Sequence, residues 1–299
     1  MTLFDLPPEG DNRPGGSGAP GQMAVAGLTP AAADLETVRI RMTVAYDGTD
    51  FHGFAANQGV VTVGGTLIEA LERLLGHRVE LACAGRTDAG VHAWGQVVSF
   101  DAPAAGLDVV DLGRAVTKLC GGPIVVRRCE VAPPDFHARF SAVARVYRYT
   151  VLNAPVPNPF TRRTTWHIET PLDLERMRLG SDPLIGSHDF SSFCRVPRVR
   201  PGQPPASLVR RVIDARWEDL GHGVLQFQIE ANAFCHQMVR SLVGLLVDIG
   251  LGRRSPGEVA AVVRAGDRQA AGQVAPPRGL CLHQVRYRQP VGLARLSKG

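Results

Sequence analysis

One aspartate in the sequence sits in a setting suited to catalysis. In CAGRTDAGVHAWGQV (residues 83–97), Asp88 lies in a polar turn between two apolar segments, each predicted to be a β-strand. Arg86 comes two residues earlier and His92 four residues later. An aspartate in a turn most often hydrogen-bonds its own backbone. Strands that hold the turn rigidly would instead present one carboxylate at a fixed place, as a catalytic group requires.

An arginine in an apolar helical segment offers a partner for this carboxylate. Arg240 lies in ANAFCHQMVRSLVG (residues 231–244) and is surrounded by apolar residues. A buried guanidinium needs a carboxylate or a phosphate beside it, unless the long side chain reaches solvent. We predict that Arg240 pairs with Asp88 in a cleft.

A long segment alternates arginines with aromatic residues and holds no acid. Between Phe136 and His167 there are five arginines and no Asp or Glu, and residues 190–213 and 268–298 are also free of acids. Arginine suits phosphate, and arginines with aromatic residues are typical of surfaces that hold phosphates and stack bases. The alternative is a strand with an aromatic core face and a solvated basic face. We predict a nucleic-acid-binding surface.

The composition limits the class of protein. The chain has 299 residues, is 44% hydrophobic and 20% charged, and carries a formal charge of +5, which indicates a soluble globular protein of one or two domains. No apolar run is long enough to span a membrane, and residues 1–14 lack a secretory signal, so a cytoplasmic location is expected. No nucleotide-binding or metal-binding motif is present, and no cofactor or metal is expected. Four of the six cysteines lie beside apolar residues and are predicted to be small buried residues, and no disulfide framework is expected.

The pattern of elements predicts an α+β protein in two halves. Residues 1–37 are rich in Gly, Pro and Ala and are predicted to form a disordered tail. An N-terminal half (38–135) and a C-terminal half (136–290) follow, and 291–299 form a second tail. The order β-α-β-β-α-β over 38–132 is that of a ferredoxin-like unit. The second half shows a similar alternation, so two ferredoxin-like (RRM-like) halves with antiparallel sheets are expected, with a cleft between them.

Seven blocks in order carry a family resemblance across residues 38–290. They are YDGTDFHGF (46–54), AGRTDAGVHAWGQV (84–97), DFHARFSAVARVYRY (135–149), GSHDFSSF (186–193), VRRVI (209–213), ANAFCHQMVRSLVG (231–244) and AGQVAPPRGLCL (271–282). Together they resemble the TruA family of tRNA pseudouridine synthases. The sequence departs from the usual pattern at Gly53-Phe54-Ala55, where Gly-Trp-Gln is common, and at Ser241, where Asn is common. Cys235 and Gln237 also differ from common choices.

The resemblance implies a homodimer that isomerises uridines 38, 39 and 40 in the anticodon stem-loop of tRNA, in a central basic cleft. It also implies that Asp88 is the catalytic aspartate and that Arg240 pairs with it. The residues expected to contact the substrate are Tyr147, Arg86, Arg139, Arg145 and His92.

The chemistry agrees with the missing cofactor motifs, because the isomerisation changes neither mass nor redox state. The target base must leave the stack, and Asp88 would then act at C1′, as nucleophile or as the base that starts an elimination. Two other classes remain open: a non-catalytic RNA-binding protein or tRNA chaperone, and a metal-dependent nuclease that uses Asp88, His92 and His188.

Overall fold

The computed structural model of the protein describes residues 36–195 and 207–288. The tails predicted at 1–37 and 291–299 fall outside these residues, apart from residues 36 and 37. Part of the basic segment at 190–213, with Arg198 and Arg200, also lies outside them. Within the described residues, no helix has the length and apolar character needed to cross a membrane.

Five helices and ten strands form the described chain. The helices are α1 (Val63–Leu75), α2 (Val109–Cys120), α3 (Leu174–Ser181), α4 (Met238–Gly250) and α5 (Glu258–Ala265). The strands are β1 (Thr37–Tyr46), β2 (Ala82–Cys83), β3 (His92–Pro103), β4 (Ile124–Val131), β5 (Ala142–Asn153), β6 (Trp166–Ile168), β7 (Gly186–Asp189), β8 (Val209–Asp219), β9 (Val224–Ala231) and β10 (Leu280–Tyr287). Short 3-10 turns occupy Asp182–Leu184, Ser191–Phe193, Arg268–Ala271 and Pro277–Gly279.

The helix ends follow from local chemistry. The side chain of Thr62 accepts a hydrogen bond from the amide of Gly65 and so caps the start of α1. Gly76 ends α1 in the left-handed conformation, at φ 73°, as the sequence predicts. The helix predicted over 172–186 is shorter, because Asp182 begins a 3-10 turn with Pro183 at its start.

All ten strands belong to one sheet. Its order is β4-β1-β3-β10-β5-β9-β8-β7, with β2 added beside β3 and β6 beside β5. Neighbouring strands are antiparallel except for β3 with β10 and β5 with β6. The chain is therefore an α+β protein dominated by a sheet. The short β3–β10 contact, in which Cys281 faces His92 and Leu282 faces Ala93, joins the two parts of the sheet.

The helices cover the sheet and complete the core. Helix α2 packs against β4 and α1, and α3 packs against α4. Helix α4 is buried along most of its length, with Leu242, Val243 and Val247 fully enclosed. The first turn of α4 carries Arg240, and the loop between β2 and β3 carries Asp88. The core thus fixes the two elements from which the predicted ion pair projects.

The four tyrosines make the fold sensitive to alkali. Burial raises the pKa of the phenol in all four, which are Tyr46, Tyr147, Tyr149 and Tyr287. A phenol whose pKa is raised by folding stabilises the folded state fully below the unfolded pKa of about 10. This stabilisation is lost as the pH rises above that value. We expect the free energy of unfolding to fall steeply above about pH 10, as measured by urea titrations at a series of pH values.

The ultraviolet absorbance of tyrosinate provides the control. The urea-unfolded protein should ionise its tyrosines near pH 10, whereas the folded protein should do so only as it unfolds. Full ionisation near pH 10 in a protein that stays folded would contradict the burial.

Candidate active site

Asp88 contacts two basic side chains, one at each carboxylate oxygen. Nη1 of Arg240 donates a hydrogen bond to Oδ2 at 3.2 Å. Nε2 of His236 lies 3.2 Å from Oδ1. The side chain of Asp88 is 23% exposed and that of Arg240 is 14% exposed, so water screens the pair only in part. The ion pair predicted between Asp88 and Arg240 is present.

Arg240 is itself fixed by the backbone that faces it. Its Nε donates to the carbonyl of Ala275 at 2.8 Å, and the amide of Ala275 donates back to the carbonyl of Arg240 at 3.0 Å. One guanidinium therefore bridges the β2–β3 loop and the segment before β10. An arginine can do this because its planar fork presents several donors in fixed directions.

A buried polar network holds the turn that carries Asp88. The hydroxyls of Tyr46 and Thr87 share a hydrogen bond of 2.8 Å. Nε2 of Gln96, which is fully buried, donates to the carbonyl of Gly85 at 2.6 Å. Strands β1 and β3 thus support the segment that leads into Asp88, and a supported group needs little reorganisation during a reaction.

The segment Gly53-Phe54-Ala55 lies directly against this turn. The amide of Phe54 donates to the carbonyl of Thr87 at 3.0 Å, and the ring of Phe54 is buried beside that of Tyr46. Gly53 has φ 93°, and a Cβ there would lie 2.8 Å from the carbonyl oxygen of Thr87. The glycine is therefore required, and Phe54 packs under the turn where the family usually has Trp.

Asp88 opens into a cavity of about 1340 Å³. Among the described residues that line it, six are arginines and only Asp88 is acidic. The arginines are Arg86, Arg139, Arg145, Arg195, Arg210 and Arg240. The cavity therefore has a strongly positive lining around one carboxylate, which suits a polyanion whose reacting atom meets Asp88.

Tyr147 lies in the wall of the same cavity. Its ring packs edge-to-face against that of Phe234, with 5.0 Å between the ring centroids. Burial, with smaller contributions from Tyr46 and Asp88, raises the pKa of Tyr147. The phenol therefore stays protonated at neutral pH and can donate a hydrogen bond, whereas it is a poor base.

The predicted substrate arginines divide into two groups. Arg86 and Arg139 are exposed and line the cavity, so their predicted contact with substrate stays open. Arg145 is buried, and its nitrogens donate to backbone carbonyls, including those of Ala84, Arg139 and Asn232, at 2.7–3.2 Å. We therefore correct the role predicted for Arg145. It braces the loops around the cavity, because its donors are already taken.

The substrate-binding role predicted for His92 is also corrected. His92 is buried and is absent from the cavity lining. Its Nδ1 accepts from the amide of Gly48 at 3.1 Å, and its Nε2 lies 2.9 and 3.0 Å from the carbonyls of Arg163 and Arg278. The ring thus connects three loops.

His188, which the nuclease alternative pairs with Asp88, does not line the cavity that contains Asp88. His188 lies in β7, where its Nε2 is 3.0 Å from the carbonyl of Ile185. Across residues 36–195 and 207–288, no three His, Cys, Asp or Glu side chains are grouped so that they could share a metal ion.

Sequence reasoning missed His236 and Phe234. Both stand in the block that contains Arg240, and His236 precedes Arg240 by four residues. That spacing is a signal for a shared helix face, but α4 begins only at Met238. His236 reaches Asp88 from the loop before the helix, which the spacing alone does not show.

Cys194 and Cys235 form a disulfide, although the sequence predicts no disulfide framework. Their Cα atoms are 5.7 Å apart, although 41 positions separate them in the sequence. The bond links Cys194, which directly follows the 3-10 turn at Ser191–Phe193, to Cys235, which lies between Phe234 and His236. The other four cysteines (Cys83, Cys120, Cys129 and Cys281) are free.

Reduction of this bond should destabilise the fold. A cross-link that closes a loop of this length restricts the unfolded chain and contributes about 2–4 kcal/mol. We expect a thiol reductant to lower the free energy of unfolding by that amount in urea titrations. The double variant Cys194→Ser/Cys235→Ser should match the reduced protein and respond no further to reductant. An unchanged urea midpoint on reduction of the wild type would argue against the cross-link.

Comparison with known proteins agrees with this geometry. A family model described as tRNA pseudouridine synthase matches residues 182–288, which places the chain in the class of pseudouridine synthases. A protein of Brevibacillus brevis named tRNA pseudouridine synthase A is 38% identical over 249 residues, covering 83% of this chain and 99% of that protein. Proteins of the same name from Corynebacterium glutamicum (41% identical; 84% of this chain, 89% of that protein) and Bacillus subtilis (38%; 84% and 99%) match similarly. The chain belongs to the tRNA pseudouridine synthase A family.

Proposed function

We propose that this protein converts uridine to pseudouridine at positions 38, 39 and 40 in the anticodon stem-loop of tRNA, with Asp88 as the catalytic group. Membership of its family makes it an isomerase that acts on tRNA uridine. The observation that carries the catalytic assignment is the single carboxylate in a cavity lined by six arginines, paired with one of them at 3.2 Å. A surface that only binds RNA has no use for an acid at that place.

The proposed architecture is two ferredoxin-like halves, 38–135 and 136–290, on either side of a central basic cleft. The strand order supports it. The first part of the sheet runs β4-β1-β3-β2 and the second runs β10-β5-β9-β8, and in each the four strands stand in the same relative order along the chain. Residues of both parts, such as Asp88 and Tyr147, line the same cavity.

The proposed reaction breaks the N1–C1′ bond of a flipped uridine and forms a C5–C1′ bond. Arg240 orients the carboxylate of Asp88, so that one carboxylate oxygen can attack C1′ or start an elimination on the sugar. The detached uracil turns, C5 bonds to C1′, and the C5 proton is lost while N1 gains one. Both routes return Asp88 ionised. In either, Tyr147 stacks on the base and donates a hydrogen bond.

The arginines of the cavity offset the cost of flipping the base, which is a few kcal/mol. Arg86, Arg139, Arg195 and Arg210 line the cavity and are placed to contact the phosphates around the target nucleotide. Two further expectations accompany this assignment: the protein acts as a homodimer and resides in the cytoplasm.

Binding of tRNA should depend strongly on salt. Each arginine that neutralises a phosphate releases a counterion, so affinity falls as salt rises. We expect the dissociation constant to increase at least about tenfold between 50 and 200 mM salt, as measured by filter binding. Replacing Arg86 by alanine should reduce the slope of this dependence. A constant that does not change with salt would contradict phosphate contacts.

The site assignment is tested with two unmodified tRNAs. One carries uridine at 38, 39 and 40, and the other carries cytidine at those positions and is otherwise identical. We expect pseudouridine at those positions in the first tRNA and none elsewhere in either. Pseudouridine at other positions in the cytidine-substituted tRNA would overturn the proposed target.

A further inference from the structure

We propose that His236 is a positioning residue for Asp88 that fixes the second oxygen of its carboxylate. The inference rests on the proposed function, because it presumes that Asp88 performs the chemistry. It assigns a role to His236, which contacts Asp88 but is not part of the ion pair between Asp88 and Arg240.

The geometry places the two basic groups at opposite oxygens. Nη1 of Arg240 lies 3.2 Å from Oδ2, and Nε2 of His236 lies 3.2 Å from Oδ1. At 3.2 Å, Nε2 of His236 is within polar-contact distance of Oδ1. A carboxylate held at one oxygen can still rotate about its Cβ–Cγ bond, whereas contacts at both oxygens fix its plane.

The two partners differ in their access to the cavity. Arg240 is 14% exposed, and its Nε is engaged with Ala275. His236 is 43% exposed and lines the cavity. Both side chains line the cavity, but Arg240 is the more buried partner and His236 the more exposed one. In this proposal Oδ1, the oxygen beside the more exposed partner, faces an incoming nucleotide, so its orientation bears on the reacting geometry.

The backbone on both sides of His236 is held in place. Its carbonyl accepts a hydrogen bond from the amide of Arg195 at 2.9 Å. The preceding residue, Cys235, is bonded to Cys194. The following residue, Gln237, has φ 66°, and its side chain accepts a hydrogen bond from Arg268. A left-handed glutamine is uncommon, and here it turns the chain into α4 and directs His236 towards Asp88.

Loss of a positioning residue should lower the rate of the chemical step and leave the affinity for tRNA unchanged. Loss of one polar contact with a charged group corresponds to about 10- to 100-fold in rate. We expect His236→Leu to lower the single-turnover rate at saturating enzyme by that factor, with a tRNA dissociation constant close to that of the wild type. His236→Gln keeps a side-chain N–H at a similar reach, and should recover the rate to within about threefold of the wild type.

The controls separate this inference from simpler explanations. His77→Leu, at an exposed position after α1 and outside the cavity lining, is the matched control for loss of a histidine and should behave as the wild type. His236→Ala is measured in parallel, so that a poorly folded leucine variant, detected by thermal unfolding, does not decide the result. Wild-type rates in the folded leucine or alanine variant would overturn the inference, as would equal losses in the glutamine and leucine variants or a loss confined to tRNA affinity.

Asp88→Asn is included to test the underlying assignment. If that variant is inactive while His236→Leu is fully active, only the positioning role fails. If Asp88→Asn is active, the proposed catalytic function fails, and the positioning role fails with it.

Discussion

Replacing Asp88 by asparagine is expected to lower the rate of pseudouridine formation by at least about 10³-fold. The amide has nearly the same shape as the carboxylate, but it can neither attack C1′ nor remove a proton. Binding of tRNA should be retained, because the substitution removes a negative charge from a cavity lined by arginines. The measurement is a single-turnover assay with enzyme in excess, accompanied by filter binding of the same tRNA.

The chain offers a matched control in a second aspartate–arginine pair. Asp248 pairs with Arg253 at 3.1 Å, and its side chain is 16% exposed, comparable to the 23% of Asp88. Neither member of that pair lines the cavity. Asp248→Asn should therefore keep the wild-type rate. A normal rate for Asp88→Asn would remove the basis of the mechanism.

Replacing Arg240 by leucine should lower the rate by about 10²-fold or more while the protein stays folded. Leucine suits the apolar surroundings of α4, where Val239, Leu242 and Val243 are buried. Asp88 would lose the guanidinium that orients its carboxylate, and the carbonyl of Ala275 would lose its side-chain donor. The rate is measured in single turnover, and the fold by circular dichroism and thermal unfolding.

The corresponding control is Arg253→Leu, which breaks the remote pair. It should leave the rate unchanged, because Arg253 lies outside the cavity. Arg240→Lys adds a finer comparison, since lysine keeps the charge but cannot reach both Asp88 and Ala275 with a planar fork. We expect an intermediate rate for it. A wild-type rate for Arg240→Leu would show that the ion pair has no part in catalysis.

Local patterns predicted most of the elements but not the way in which they join. The order β-α-β-β-α-β and the end of α1 at Gly76 follow from nearby residues, and the structure has both. The strand predicted over 79–85 is reduced to Ala82–Cys83, because only these two residues pair with β3. The parallel contact of β3 with β10 brings together His92 and Cys281, and no local pattern contains that information.

The ion pair of the site was predictable, because a charged side chain in an apolar helix requires an oppositely charged partner. A charged Arg240 in an apolar helix pointed to Asp88, and the structure pairs them. Composition could not tell whether the donors of Arg145 go to phosphates or to carbonyls, because that depends on loops that are distant in the sequence. Composition likewise could not show that the ring of His92 contacts backbone groups, or that Cys194 and Cys235 form a disulfide.

The central claim is that Asp88 carries out the isomerisation in tRNA. Its most direct test maps pseudouridine along an unmodified tRNA after incubation with the wild type or with Asp88→Ala, side by side, without added metal or nucleotide. We expect pseudouridine at positions 38–40 with the wild type only, although both proteins bind the tRNA. Equal conversion by the two proteins, or tight binding without conversion by either, would contradict it.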